Sequence, residues 1–229
     1  MRWRRGALVA ACCALGAALA TGGCTRVVAG TGHPADGTAA HGPTALADLM
    51  IAPARFPRDY PAVRLDPISA VQAVRDIDGV ADGAVVTPPQ CTPPPPGRAP
   101  VDVVATQGVN AAATSSLTLT LTRSGTPLDG RRDQLRGCPV FTATADGGVT
   151  TVLVRSLPAP PVDADAAYAV EQTVKTPEGE AFHALILAAQ IADVRITAVW
   201  ATSDDAATAD TRAVDALFTD AVLTVRRGG

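Results

Sequence analysis

The sequence predicts an α+β fold: a two-layer domain in which a mainly antiparallel β-sheet carries helices on one face, with one disulfide bond. Three observations predict this class. Segments with a two-residue hydrophobic period follow one another from about residue 101 to residue 202. The connections between them, such as "ADGG", "TPEG" and "IAD", are too short for parallel crossovers and favour antiparallel hairpins. Helical patterns flank this region on both sides, which is typical of α+β domains.

The N-terminal region has the features of a secretory signal peptide, which we place at residues 1–23. Residues 1–6 contain three arginines, and residues 7–20 form an unbroken run of small and apolar residues. A basic segment followed by a short apolar segment and small residues is typical of signal peptides. A permanent transmembrane helix is the weaker alternative, because such a helix needs about 20 predominantly apolar residues.

The end of this segment indicates a lipid anchor at Cys24. Gly22, Gly23 and Cys24 resemble the last three positions of the bacterial lipobox, although Thr21 stands where that pattern prefers leucine. We therefore predict an exported lipoprotein held on the extracytoplasmic side of the cell membrane by acyl chains on Cys24, since two or more chains anchor a protein stably. The alternative is an ordinary signal peptide cleaved nearby, with Cys24 a plain thiol.

Residues 24–44 predict a flexible tether, and residues 45–229 predict a single folded domain. The tether is rich in Gly, Ala, Thr and Pro and has too little apolar surface to offset the entropy of ordering it. In the domain, Cys91 and Cys138 remain as one pair outside the reducing cytosol, so we predict a disulfide bond between them. Two separated cysteines without a nearby histidine do not form a tetrahedral metal site, and we predict neither a metal nor a cofactor.

The first part of the domain predicts one well-marked helix and a proline-rich loop. "DPISAVQAVRDIDG" has Asp66 at the N-cap, Pro67 at the first helical position and Gly79 as the stop. "TPPQCTPPPPGRAP" contains too many prolines for a helix or a central strand, so it predicts a rigid loop that carries Cys91. "PLDGRRDQLRG" predicts a short helix leading to Cys138.

The second part of the domain predicts strands and a closing helix. "SSLTLTLTRS", in which leucines alternate with threonines, predicts a strand with one solvent-exposed face. Trp200 falls on the core side of the last predicted strand. The segment "SDDAATADTRAVDALFTDAVLTVRRGG" predicts a helix that is capped by Ser203 or Asp204 and lies across the sheet. The other strands are predicted at residues 101–107, 139–145, 150–156, 166–175, 181–190 and 194–202.

The sequence does not predict a catalytic site. His183 is the only histidine in the predicted domain, and neither a G-x-S-x-G motif nor a recognisable catalytic triad accompanies it. We interpret the three aspartates in "RDIDGVADG" as a helix stop and a polar turn, because a calcium loop would need a glutamate where Thr87 stands. The net charge of −3, without a clustered basic segment in the predicted domain, predicts no nucleic-acid partner.

Several motifs together resemble a known group of exported proteins. They are the lipobox-like start, "LMIAPARFPRDYPA", the cysteine in the proline-rich loop, "RGCPVF", and "AYAVEQTV" followed later by "WATSDDAA". With them the chain resembles the cell-envelope lipoproteins of mycobacteria and other actinobacteria over roughly residues 46–226. Within that group it is most similar to the extracellular sensor domains of PknH-type kinases, or to a neighbouring lipoprotein family. The resemblance implies an antiparallel sheet with packed helices, disulfide support and a cleft.

These observations predict a non-enzymatic, membrane-anchored lipoprotein that binds a small or lipidic ligand, or a partner, in a groove between sheet and helices. The kinase sensor domains carry two disulfides where this chain can form one, so no ligand-binding residue is transferred from them. The alternative is a structural or protein-interaction module at the cell surface, with an exposed apolar patch and no small-molecule pocket. An unrecognised enzyme would require Asp163, Asp165 or His183 to meet in one concave site.

Overall fold

The structure is a computed structural model that describes residues 44–95 and 102–228. The predicted signal peptide at residues 1–23, Cys24 and the predicted tether as far as residue 43 lie outside the described residues. Among the described helices, none is long and apolar enough to span a lipid bilayer.

The strands of the described residues form one sheet in which every neighbouring pair is antiparallel. Their order across the sheet is β1-β3-β4-β9-β8-β7-β6-β5-β2. The predicted antiparallel hairpins are therefore confirmed. The strands are β1 (Ala62–Arg64), β2 (Val85–Thr87), β3 (Val103–Asn110), β4 (Ser115–Arg123), β5 (Val140–Ala145), β6 (Gly148–Leu157), β7 (Ala166–Lys175), β8 (Ala181–Ile191) and β9 (Val194–Thr202).

Four α-helices and a disulfide bond complete the described structure. The helices are α1 (Leu46–Leu49), α2 (Pro67–Asp76), α3 (Leu128–Gly137) and α4 (Thr211–Gly228). The predicted disulfide between Cys91 and Cys138 is present, and it joins the proline-rich loop to the residue that follows α3. The α+β class is thus confirmed.

The helices lie on both faces of the sheet. On one, termed the α4 face, buried residues of α1 and α4 form a hydrophobic cluster with the leucines of β4. On the other, termed the α3 face, Leu128 and Leu135 of α3 cluster with Ile186 of β8. On this same face, Ala70 of α2 packs against Val103 of β3. The sequence predicts one helical face, and the structure adds a second, because α2 packs on β3 and β4 and α3 packs on β6 and β7 on the side opposite α4.

The core on the α4 face contains two aromatic side chains that are far apart in the sequence. Trp200 of β9 is 4 % exposed, which confirms its predicted place in the core, and Tyr60 is 1 % exposed. Trp200 Nε1 donates a hydrogen bond to the Tyr60 hydroxyl at 3.1 Å. This bond satisfies the indole N–H, which a buried tryptophan would otherwise leave unpaired.

Local signals mark the start of α2 as predicted but not the start of α4. The Asp66 carboxylate accepts hydrogen bonds from the backbone N–H groups of Ile68 and Ser69, and it is the predicted N-cap. The N-cap of α4 is Asp210, whose carboxylate accepts from Ala213 N at 3.0 Å. The predicted cap at Ser203 or Asp204 is wrong, because the Asp204 carboxylate instead accepts from Ala206 N in a separate turn.

The first and last described residues lie beside each other. Thr44 Oγ1 donates a hydrogen bond to the carbonyl oxygen of Gly228 at 3.0 Å. The Arg123 side chain at the end of β4 donates to the carbonyl oxygen of Thr44 and pairs with Asp193. The two ends of the described domain are therefore held at one corner of the sheet.

Candidate ligand-binding cavity

A cavity of about 960 Å³ lies between the α3 face of the sheet, α2, α3 and their adjoining loops. Small-molecule sites in proteins occupy roughly 300–1,000 Å³, so its size suits a ligand. It is the groove between sheet and helices that the sequence predicts, although the helices that form it are α2 and α3 and not the closing helix α4.

Side chains of the central strands β4 and β9 form the floor of the cavity. Thr120 lies opposite Thr197 in the antiparallel register. Thr122 lies opposite Arg195 on the same side of the sheet. All three threonines are buried, so the prediction of a solvent-exposed threonine face is wrong. Threonine suits a buried strand because its β-branched side chain packs well and its hydroxyl group both donates and accepts hydrogen bonds.

An ion pair between the turn after α2 and helix α3 forms one side of the cavity. Arg131 Nη2 lies 2.5 Å from Asp78 Oδ1, and the Arg131 side chain is 7 % exposed. Burial raises the pKa of the Asp78 carboxyl, and the charge of Arg131 opposes that rise. The two charges neutralise each other, so this pair contributes little net field to the cavity.

Among the described residues, Arg195 forms no ion pair with a carboxylate, although the charge of Asp78, which is paired with Arg131, also acts on it. The cavity is also lined by Arg75, Arg123 and Arg131, each of which pairs with an aspartate.

Within the described part of the chain, Arg195 donates a single hydrogen bond, from Nη2 to the carbonyl oxygen of Thr126 at 3.0 Å. Its Nε is buried without a partner there. Burial lowers the pKa of Arg195, yet a guanidinium remains protonated at neutral pH.

Tyr168 of β7 also lines the cavity. Burial raises the pKa of Tyr168 to about 12, and the nearby charge of Arg131 opposes that rise. The phenol is therefore neutral at physiological pH and can donate a hydrogen bond. Together with the threonine hydroxyls, it gives the floor a set of donors beside the charge of Arg195.

The remaining walls of the cavity are largely apolar. Val74, Ile77 and Val80 line it from α2 and the following turn, and Val86 lines it from β2. Residues 93–95, three consecutive prolines that we term the proline rim, also line the cavity. The cavity therefore combines apolar walls with a polar floor.

The proline rim is fixed to α3 by covalent and polar contacts. The disulfide between Cys91 and Cys138 lies just before the rim. The side-chain amide of Gln134 donates to the carbonyl oxygens of Gln90 and Thr92, each at 2.8 Å. These contacts join the loop that carries the proline rim to α3.

The three aspartates of "RDIDGVADG" bind separate partners and do not converge. Asp76 accepts a hydrogen bond from Gln72 Nε2, and Asp82 pairs with Arg75. Asp78 pairs with Arg131, as described above. In residues 44–95 and 102–228, no group of three or more His, Cys, Asp or Glu side chains is arranged to hold a metal ion.

The residues that an unrecognised enzyme would require lie at opposite ends of β8. Asp163 and Asp165 both lie near Arg226, and Asp165 N donates to the Gln190 carbonyl oxygen. His183 lies at the start of β8, where its Nε2 is 2.9 Å from Asp205 Oδ1. The structure thus does not bring these candidates together in a concave site.

The central residues of the cavity, Arg195 and Arg131, are not predicted from the sequence. The one indication of Arg195 in the sequence is that it interrupts an otherwise apolar strand, "VRITAVW". An arginine in such a strand is either exposed to solvent or part of a buried polar site. The sequence does not choose between them, because the helices covering this position come from distant segments.

The fold and the cavity define a disulfide-bonded α+β domain with a polar, arginine-containing groove between sheet and helices. No protein-family model matches the chain, and no curated protein matches it.

The solved structures that are similar to it include the following two. One is an uncharacterized protein from Mycobacterium smegmatis, the Rv0999 ortholog, with 15 % identity, a TM-score of 0.42, and coverage of 73 % of this chain and 86 % of that chain. The other is the extracellular domain of PknH from Mycobacterium tuberculosis, with 15 % identity, a TM-score of 0.40, and coverage of 76 % of this chain and 97 % of that chain. Similarity at this level is too weak to transfer a function or a site.

Proposed function

We propose that this chain is an exported, membrane-anchored cell-envelope lipoprotein that binds a small or lipidic ligand in the cavity and does not catalyse a reaction. The observation that carries the proposal is the cavity itself. It has the volume of a ligand site, apolar walls and a few converging polar groups, which is the usual composition of small-molecule sites.

Two features support export and anchoring. The N-terminal sequence has the order of a signal peptide and ends in a lipobox-like segment at Cys24. The disulfide between Cys91 and Cys138 is of the kind that forms and persists outside the reducing cytosol. Acylated Cys24 would hold the domain at the membrane through the tether.

A protein-interaction module is the second candidate, and one observation favours it. Val85, Val140, Val149 and Leu153 lie on the α4 face of β2, β5 and β6 and are each at least 36 % exposed. Helix α4 packs on β8, β9 and β4 and leaves this part of the sheet uncovered. Exposed apolar side chains on one face are typical of interaction surfaces.

Native mass spectrometry of the protein purified from its host membrane tests the ligand-binding proposal. Gly130 of α3 lines the cavity, and a side chain added there meets open space. Gly137 is in the same helix and equally unobstructed, but it does not line the cavity, so Gly137→Trp is a matched control for Gly130→Trp.

The wild-type protein and Gly137→Trp should retain a small molecule, and Gly130→Trp should lose it. Recovery of all three proteins without a ligand would contradict the proposal. Co-purification of a protein partner with all three, and of no small molecule, would favour the interaction module.

A further inference from the structure

Arg195 is the feature of the cavity that can select a ligand by its charge. We infer that the ligand is an amphipathic anion, with a carboxylate or phosphate head group that binds the Arg195 guanidinium and an apolar chain that lies along the apolar walls. This inference rests on the proposed function, because it names the ligand class for the same cavity.

The case for an anion is electrostatic. Arg195 is half-buried, and removing part of a guanidinium from water costs free energy unless an opposite charge or hydrogen bonds replace the lost solvation. In the described residues, Arg195 has one hydrogen-bond acceptor, the Thr126 carbonyl oxygen, and no carboxylate partner. A bound carboxylate or phosphate would supply charge-assisted hydrogen bonds to the remaining donors.

The groups around Arg195 favour the same charge. Thr122 lies directly opposite Arg195, and Tyr168 is held as a neutral phenol, so both can donate to an anionic oxygen. Asp78 lines the cavity as well, but Arg131 neutralises it. Asp82 also lines the cavity and pairs with Arg75. A cationic ligand would therefore have to compete with an arginine for either carboxylate, and it would also meet the charge of Arg195.

The apolar walls explain why the anion should carry an apolar chain. Val74, Ile77 and Val80 stand on one side of the cavity, and the proline rim borders it. A small inorganic anion would leave these surfaces in contact with water. Each methylene group of an apolar chain that these walls remove from water adds to the binding free energy, so the walls favour an amphipathic molecule.

Isothermal titration calorimetry with four ten-carbon probes tests the inference. Decanoate and decyl phosphate carry the two anionic head groups, decanol is the neutral control, and decyltrimethylammonium is the cationic control. Each is titrated below its micelle-forming concentration into the wild-type protein and into Arg195→Gln, Arg195→Lys and Arg212→Gln. Arg212 is an exposed arginine of α4 on the opposite face, so Arg212→Gln is the matched control.

The wild-type protein should bind at least one of the two anions about 10- to 100-fold more tightly than decanol, the range expected for hydrogen bonds to a charged group. Arg195→Gln should lose this preference while still binding decanol like the wild type, and Arg212→Gln should keep it. Arg195→Lys should preserve the preference for anions at reduced affinity, because it keeps the charge but not the planar set of donors. The relative affinities of decanoate and decyl phosphate then distinguish a carboxylate from a phosphate ligand.

The outcome of the titrations shows whether only the anion inference fails or whether the proposed ligand-binding function fails as well. Equal binding of decanol and both anions, or an unchanged anion affinity in Arg195→Gln, would overturn the inference and leave the cavity as a ligand site. Binding of the cationic probe in preference to the anions would also overturn it. Absence of binding by all four probes would overturn the inference and count against the proposed function as well.

Discussion

Trp200 Nε1 lies 3.1 Å from the hydroxyl oxygen of Tyr60, and this hydrogen bond joins β9 to the segment before β1 inside the core. The same hydroxyl donates to Asp210 Oδ2 at 3.3 Å, and Asp210 caps α4. We predict that Tyr60→Phe lowers the free energy of unfolding by about 1–3 kcal/mol, because it leaves the buried Trp200 N–H without an acceptor. Urea denaturation followed by tryptophan fluorescence measures the change, and unchanged stability would contradict the importance of this bond.

Gly108→Ala should destabilise the domain through close contact with the backbone. A Cβ atom at Gly108 of β3 would lie 2.6 Å from the carbonyl oxygen of Tyr60, and a backbone atom cannot move aside as a flexible side chain can. We expect a loss of about 1–3 kcal/mol in urea denaturation, typical of overpacking. Gly125→Ala is the control, since a Cβ atom there meets nothing within 4 Å. Equal stability of the two variants would refute the prediction.

Removing the disulfide should affect both stability and the cavity. Cys91 and Cys138 are separated by 47 residues, and closing a loop of this length stabilises a fold by about 4 kcal/mol on the chain-entropy account. The Cys91→Ser, Cys138→Ser double variant should therefore melt at a lower temperature in calorimetry. It should also bind decanoate more weakly, because the proline rim loses its covalent link to α3. An unchanged melting temperature would contradict the stabilising role of the bond.

Tyr168 should make the domain sensitive to alkaline pH. Its pKa is raised from 10.0 to about 12 in the folded state, so between these values the unfolded chain releases a proton that the folded chain retains. Stability must then fall as pH rises. Between pH 8 and pH 11, the free energy of unfolding of the wild type should fall by about 1.4 kcal/mol more than that of Tyr168→Phe, which has no phenol to ionise. Denaturation curves at the two pH values measure this, and a constant difference would show that the phenol ionises alike in both states.

The proposed lipid anchor at Cys24 predicts how the protein partitions between detergent and water. Cys24→Ala removes the thiol that would carry the acyl chains, so the protein should move from the detergent phase to the aqueous phase in Triton X-114 partitioning. Thr25→Ala, next to it in the sequence, should remain in the detergent phase. If Cys24→Ala stayed in the detergent phase, Cys24 would not be the anchor.

The sequence predicts those parts of the fold that depend on neighbouring residues. The N-cap at Asp66 and the bounds of β7 and β9 follow from short patterns, and the structure confirms them. The start of α4 is harder, because "SDDAATAD" contains several residues able to cap a helix. Tertiary contacts select Asp210, whose carboxylate also accepts from Tyr60.

The cavity depends on contacts between distant segments, and for that reason the sequence suggests a groove between sheet and helices only as a hypothesis and does not predict its residues. The alternation in β4 correctly separates leucines from threonines. It does not reveal that Thr120 and Thr122 are buried, on the face of the sheet that carries α2 and α3. The sequence also does not show whether Arg195 faces solvent or a cavity, because an arginine on a strand is usually exposed to solvent.

The hydrogen bond between Thr44 and Gly228 brings the two ends of the described domain within reach of a short linker. A circularly permuted chain that joins these ends and opens between Asp146 and Gly147 keeps every strand pair, because that turn lies between β5 and β6 and outside both. The same set of strand pairs is therefore compatible with a different order of the strands along the chain.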